Sequence, residues 1–162
     1  MNKNKELLIK DLTCRLSYGI KCLVEIDETE YDEFTGKDIG FKGKSIGELY
    51  LLDINDNHVE LYFDEKNNIS DELSDMSMEG LITINDIKPY LRSMSKMTEK
   101  ETYIFCQDIL NEVEARCIHS FGCGEYSLAF TEANDWLNEH HFDYRGLIEK
   151  GLALEAPEGM YN

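Results

Sequence analysis

The sequence predicts an α+β fold: an N-terminal helix, then a small antiparallel sheet of the SH3-like barrel type or another small antiparallel arrangement, then a helical C-terminal part. Three observations carry this. Leucines and their neighbours recur at helical spacing in the first sixteen positions. Short β-type runs separated by polar turn residues fill the chain from 20 to 84. From about residue 97 the apolar period changes from two to three or four. Helix and sheet then occupy 1–92 and the helical part 93–162, packed together as one compact unit of single-domain length.

The first element is "NKELLIKDLTCRL". Leu8, Leu12 and the stem of Arg15 make its inward stripe, Asn4 is its cap, and Gly19 in "SYGI" ends it. "IKCLVEID" reads as a strand. The acidic, glycine-containing stretch from Glu28 to Gly43 reads as a long loop or an irregular hairpin arm. "SIGELYLLDI" and "HVELYFDE", joined by "NDN", read as a hairpin. In it Val59, Leu61 and Phe63 share one face and His58, Glu60 and Tyr62 the other. After the polar stretch "KNNISDELSDMSM", "GLITI" is a further short strand, and "NDIKPYLRSM" is a proline-containing turn.

In the last third, Thr98 is an N-cap with Glu99 and Glu101 in the favourable first turn. Cys106, Ile109, Leu110, Val113 and Cys117 form one stripe, with Glu101, Asp108 and Glu112 turned away and Glu112–Arg116 a surface pair. A second helix, "TEANDWLNEHHF", is capped by Thr131 and carries Ala133, Trp136, Leu137 and His140 on one face. "DYRGLIEKG" is a last short helix, capped by Asp143 and stopped by Gly151. "LALEAP" closes the fold as an extended strap.

Charge is the strongest global signal. The chain has 33 acidic and 16 basic residues, a net of −17. Residues 1–24 hold five basic and two acidic groups, 25–79 hold four and 17, and 80–162 hold seven and 14. Binding to a phosphate backbone needs a basic footprint, so direct nucleic-acid binding is not expected. The longest apolar runs fall far short of the roughly 20 residues of a membrane span. The N-terminus has neither an apolar core nor a cleavage site, so the expectation is a cytoplasmic protein. Five irregularly spaced cysteines suit free thiols better than a disulfide framework.

Asp53, Asn55, Asn57 and Asp64 match ligand places of a calcium loop, but His58 stands where glycine is required and Glu60 where an apolar residue belongs. A turn explains them better. Cys117, His119 and Cys123 contain zinc-type ligands, but without the paired spacing of a zinc site; Cys123 with His119 is also the one candidate for a cysteine-dependent hydrolase or transferase. Phosphate-binding, Rossmann, serine-hydrolase and zinc-protease motifs do not occur, and no cofactor is expected. In the tail, Trp136, His140, His141, Tyr144 and Arg145 are candidate interaction residues. His140 falls on the apolar stripe, and Arg145 pairs with Glu139 or Glu149 or faces a ligand.

The tail "WLNEHHFDYRGLIEKGLALEAPEGMY", with "KPYLRSMSKMTEKE" and "LLIKDLTCRLSYGI", resembles a family of short uncharacterised proteins of gut Bacteroidales and their phages and mobile elements. In similar members Ser17 and Ser93 are often proline. The resemblance implies an element-encoded accessory protein and supplies no catalytic or binding residues. Together these readings predict a non-enzymatic module acting through contacts with a protein partner. The rival is an acidic mimic of nucleic acid that blocks a host defence or DNA-processing enzyme through Asp27, Glu28, Glu30, Asp32 and Glu33.

Overall fold

The computed structural model describes residues 3–32, 37–56, 58–63, 82–111 and 125–161. The first helix, α1 (Lys3–Arg15), buries Leu8, Ile9, Asp11, Leu12 and Arg15 along one stripe. Asn4 lies inside the helix instead of capping it. A 3₁₀ turn (Leu16–Tyr18) follows, and Gly19 ends it at φ +67°, a left-handed conformation that favours glycine.

β1 (Lys21–Asp32) and β2 (Lys37–Asp53) form one long antiparallel hairpin, in register from Lys21↔Glu48 to Asp32↔Lys37. Of the stretch expected as a loop or irregular arm, residues 33–36 lie outside the described residues, and 28–32 and 37–43 form a regular ribbon. Its acidic sequence is compatible with pairing because lysines sit at the partner positions: Glu25↔Lys44, Asp27↔Lys42 and Asp32↔Lys37. β3 (His58–Phe63) continues the meander, and a register shift between Leu49 and Leu51 bulges β2 there. The Asp53 carboxylate accepts the N–H groups of Asn55 (2.9 Å) and Asp56 (3.3 Å), the geometry of a turn. Asn57 and Asp64 lie outside the described residues. Val59 and Leu61 are buried and Tyr62 exposed, as the alternation predicts.

Two assignments change places. In "GLITI", Ile82 and Ile84 are buried, but Thr83 makes a single bridge to His58 and is otherwise held in a turn by the Asp86 carboxylate (2.7 and 2.9 Å). The strand is instead β4 (Ile87–Leu91), the segment expected to be a turn because of Pro89. The Glu25 N–H donates to the Asp86 carbonyl, so the alternation of an antiparallel ladder makes Cys22↔Pro89 a non-hydrogen-bonded pair. No N–H is needed toward β1 at that position, and proline fits. β5 (Leu154–Glu155) runs parallel to β4, so the closing strap does join the sheet. The order is β3-β2-β1-β4-β5: an open, mixed sheet, not a closed barrel.

Among the helices, α2 (Glu99–Tyr103) starts at Thr98 with a reciprocal capping box to Glu101 and runs into a π-helical stretch, Ile104–Leu110. The wider turn shifts the helix face: Cys106 and Ile109 are half-buried and Leu110 is exposed. Val113, Cys117 and the Glu112–Arg116 pair lie outside the described residues. α3 (Glu125–Glu139) begins six residues before Thr131, which is therefore interior to the helix and not its cap. The "DYRGLIEKG" segment is a run of turns, because Gly146 at φ +67° breaks helical continuity. One core joins Leu12 of α1, Val24, Leu49, Val59 and Leu91 of the sheet, and Leu147 and Ala153 of the tail. No described helix is long and apolar enough to cross a membrane.

Candidate functional site

The tail residues singled out above converge on the junction of α1, the end of α3 and the edge of the sheet. α3 ends in a Schellman motif. The His141 N–H bonds the Asn138 carbonyl (3.0 Å), and the Phe142 N–H bonds that of Leu137 (2.9 Å). His141 therefore occupies the left-handed position, φ +57°, usually held by glycine. A histidine there costs about 1 kcal/mol of backbone strain, offset by its packing. Its ring stacks on Tyr161 with centroids 3.7 Å apart, and Nδ1 is buried without a hydrogen-bond partner. Burial first, then the positive charge of Arg15, lowers the His141 pKa to about 4, so the ring is neutral near pH 7.

Arg15 is the hinge pin of the junction. It is wholly buried with Asp11 (Nε–Oδ2 2.7 Å), and its Nη2 donates to the Phe142 carbonyl at 2.7 Å, beyond the end of α3. The cation thus meets the negative end of the helix dipole and ties the first helix to the last. Tyr144 lies beside both arginines, 5.5 Å from the Arg15 guanidinium and 5.0 Å from that of Arg145, and its hydroxyl donates to Asn138 Oδ1. Arg145 reaches across to α1, 3.8 Å from Asp11 Oδ1 and 3.5 Å from Cys14 Sγ. The expected partners Glu139 and Glu149 are not the ones it meets; the difference arises because its partner comes from the opposite end of the chain.

His140 stacks on Trp136 (4.0 Å), with Nδ1 2.9 Å from the Trp136 carbonyl, the half-packed state its place on the stripe predicts. The Asp143 carboxylate does hold N–H groups, those of Leu147 and Ile148 (both 2.8 Å), but around a wider turn than a helix cap. The five tail candidates are thus brought to one region, where each makes contacts within the chain.

Residues that sequence reasoning passed over anchor the other side. Arg92 forms a bidentate pair with Glu101 (2.7 and 3.0 Å) and lies over the Phe142 ring, so Glu101 turns inward, not away as expected. Hydrogen bonding from Arg92 is the main cause that holds the Glu101 carboxyl down to about 2. Tyr161 donates to the Tyr90 carbonyl (2.8 Å) and accepts from the Lys21 N–H (3.1 Å), locking the chain end across β1 and β4. Beside it opens a cleft of about 370 Å³ between Arg92, Lys96 and the 156–161 segment. Its two cations are already paired, Arg92 with Glu101 and Lys96 with Glu155 (3.0 Å).

Among the described residues no three His, Cys, Asp or Glu side chains are grouped to hold a metal ion. Cys117, His119 and Cys123 lie outside the described residues. The exposed large apolar residues concentrate on the β2–β3 hairpin: Tyr50, Leu51, Ile54 and Tyr62, with the two tyrosine rings 4.6 Å apart. Comparison with family models, curated proteins and solved structures finds no match in any of the three.

Proposed function

We propose that the protein is a non-enzymatic accessory module that acts through contacts with a protein partner. The observation that carries this reading is the division of its aromatic residues. Those of the tail are engaged inside the fold, whereas Tyr50 and Tyr62 set their rings together on the exposed surface of the β2–β3 hairpin, where the Tyr50 hydroxyl donates to Glu60 and where Leu51 and Ile54 are also exposed. Paired exposed tyrosines offer large contact area at low entropic cost, which is the chemistry of a protein interface. The resemblance to short uncharacterised proteins of gut Bacteroidales and their phages and mobile elements, and a cytoplasmic location, belong to this reading. So does kinship with SH3-like sheets, which rests on the β1–β2–β3 meander and on the His58–Thr83 bridge that leads its far edge back toward β4. The acidic-mimic alternative draws less support, since lysines stand opposite Glu25, Asp27 and Asp32 in the hairpin register.

Affinity capture from host lysate tests the proposal. A partner retained by the natural protein and lost with Tyr50→Ser/Tyr62→Ser supports it. Capture of no specific partner, together with turnover of a substrate by the purified protein, overturns it.

A further inference from the structure

The antiparallel alternation that accommodates Pro89 also says which backbone groups of β1 face away from β2. The Glu25 N–H points to the β4 side, where it donates to the Asp86 carbonyl at 3.1 Å. β1 pairs with β2 without a register shift up to Asp32, so Asp27, Thr29 and Tyr31 present their N–H and C=O groups on that same side. β4 pairs with β1 no further than Val24↔Ile87, and among the described residues nothing pairs with this side of β1 beyond Glu25. A regular strand edge some five residues long, roughly 17 Å at the usual rise, therefore continues the line of β4. Along it the sequence "DETEY" holds three carboxylates, Asp27, Glu28 and Glu30, and no basic residue; in the register with β2 only Asp27 has a lysine, Lys42, as its partner.

We propose that this edge, Asp27 to Tyr31, takes an extended lysine- or arginine-rich segment of a protein partner by β-addition. The inference rests on the protein-contact reading and names its chemistry. Main-chain hydrogen bonds supply the attachment and charge complementarity the selection. The same carboxylates disfavour antiparallel pairing of β1 with β1 of a second copy, since like charges would oppose one another, and they repel nucleic acid. Thr29 and Tyr31 are good strand formers, whereas the other edge of the ribbon is interrupted by Gly40 and Gly43.

The test uses the full chain and a defined probe, the acetylated peptide Lys-Val-Lys-Val-Lys-Val-Lys, with a Glu-for-Lys peptide as its counterpart. Thr29→Pro removes an N–H that faces away from β2, a substitution an edge strand tolerates. Binding of the lysine peptide should weaken about tenfold or more with Thr29→Pro and in high salt, and the glutamate peptide should not bind. Hydrogen exchange keeps the proposal falsifiable even if that variant misfolds. The Thr29 amide should exchange quickly in the free natural protein and slow on adding the lysine peptide. A Thr29 amide already protected in the free protein, or equal peptide binding by natural protein and a folded Thr29→Pro, overturns the proposal. So does self-association that Thr29→Pro abolishes, which would assign the edge to a second copy. Lysate capture that survives Thr29→Pro but fails with Tyr50→Ser/Tyr62→Ser overturns the edge proposal and leaves the wider reading standing.

Discussion

Asp11 and Arg15, one turn apart on α1, form an ion pair from which water is fully excluded, each with 0% exposure. Removing Asp11 leaves Arg15 as a buried charge without a carboxylate, and removing Arg15 leaves Asp11 only the more distant Arg145 at 3.8 Å; breaking such a buried pair costs about 3–5 kcal/mol. Asp11→Ala and Arg15→Met are each expected to lower stability by that amount in urea unfolding. The double variant Asp11→Leu/Arg15→Met should lose less than the sum of the two. It does not return to the natural value, because the Phe142 carbonyl still loses its donor. Strict additivity of the two losses would show that the pair does not act as a unit.

His141 sets one pH window. Its pKa falls from 6.5 in an unfolded chain to about 4 in the fold. Between those values the unfolded chain takes up a proton that the native chain refuses, so this contribution to stability is intact above pH 6.5 and is lost as pH falls toward 4. The full loss is about 3 kcal/mol. His141→Asn keeps a residue that tolerates the left-handed conformation and removes the titration. Its stability should fall less steeply than that of the natural protein between pH 6.5 and 4, with the lower region shared. Equal slopes in denaturant titrations at pH 7, 6, 5 and 4 would rule out the buried neutral ring.

Arg92 and Glu101 set a second, more acidic window. The Glu101 carboxyl is held from 4.5 down to about 2, so its contribution is present above pH 4.5 and lost as pH drops toward 2. Glu101→Gln keeps the shape but gives up the charged fork to Arg92, at a cost of about 2 kcal/mol near pH 7. The difference from the natural protein should shrink toward zero near pH 2. A difference that stays constant from pH 7 to pH 3 would contradict the pairing.

What could be read from the sequence was local. Thr98 with Glu101 three residues on, Asp53 before a polar tripeptide, and Val59 and Leu61 in alternation each act through neighbours a few positions away, and the fold keeps them. Thr131 misled because a cap motif says nothing about whether a helix is already running. Pro89 misled because its fitness for a strand depends on the register of β1, far away in sequence. The acidic arm resembled a loop because its glycines and carboxylates are what spacing sees, whereas the register that sets Lys37 opposite Asp32 and Lys42 opposite Asp27 exists only once the chain has folded back on itself. Arg145 finds Cys14, 131 positions earlier, and no spacing rule reaches that distance. The tail region was visible as a cluster of aromatic and cationic residues, but the buried Asp11–Arg15 pair at its centre was not, since a charged pair at i, i+4 normally marks a solvated face.

Thiol chemistry gives a direct check of the core. Cys14 is exposed beside Arg145, whereas Cys22 is fully buried in β1 and burial pushes its thiol pKa upward. A thiolate is the reacting species, so both access and ionisation protect Cys22 in the native state. In a native labelling time course read by mass spectrometry, Cys14 is expected to react within minutes. Cys22 should react only as fast as the molecule unfolds, and denaturant should raise its rate in step with the unfolded fraction. Arg145→Ala frees Cys14 from its guanidinium neighbour without touching Cys22, so it should alter the first rate and leave the second governed by unfolding. Native labelling of Cys22 at the rate of Cys14 would mean that β1 is not the centre of the core.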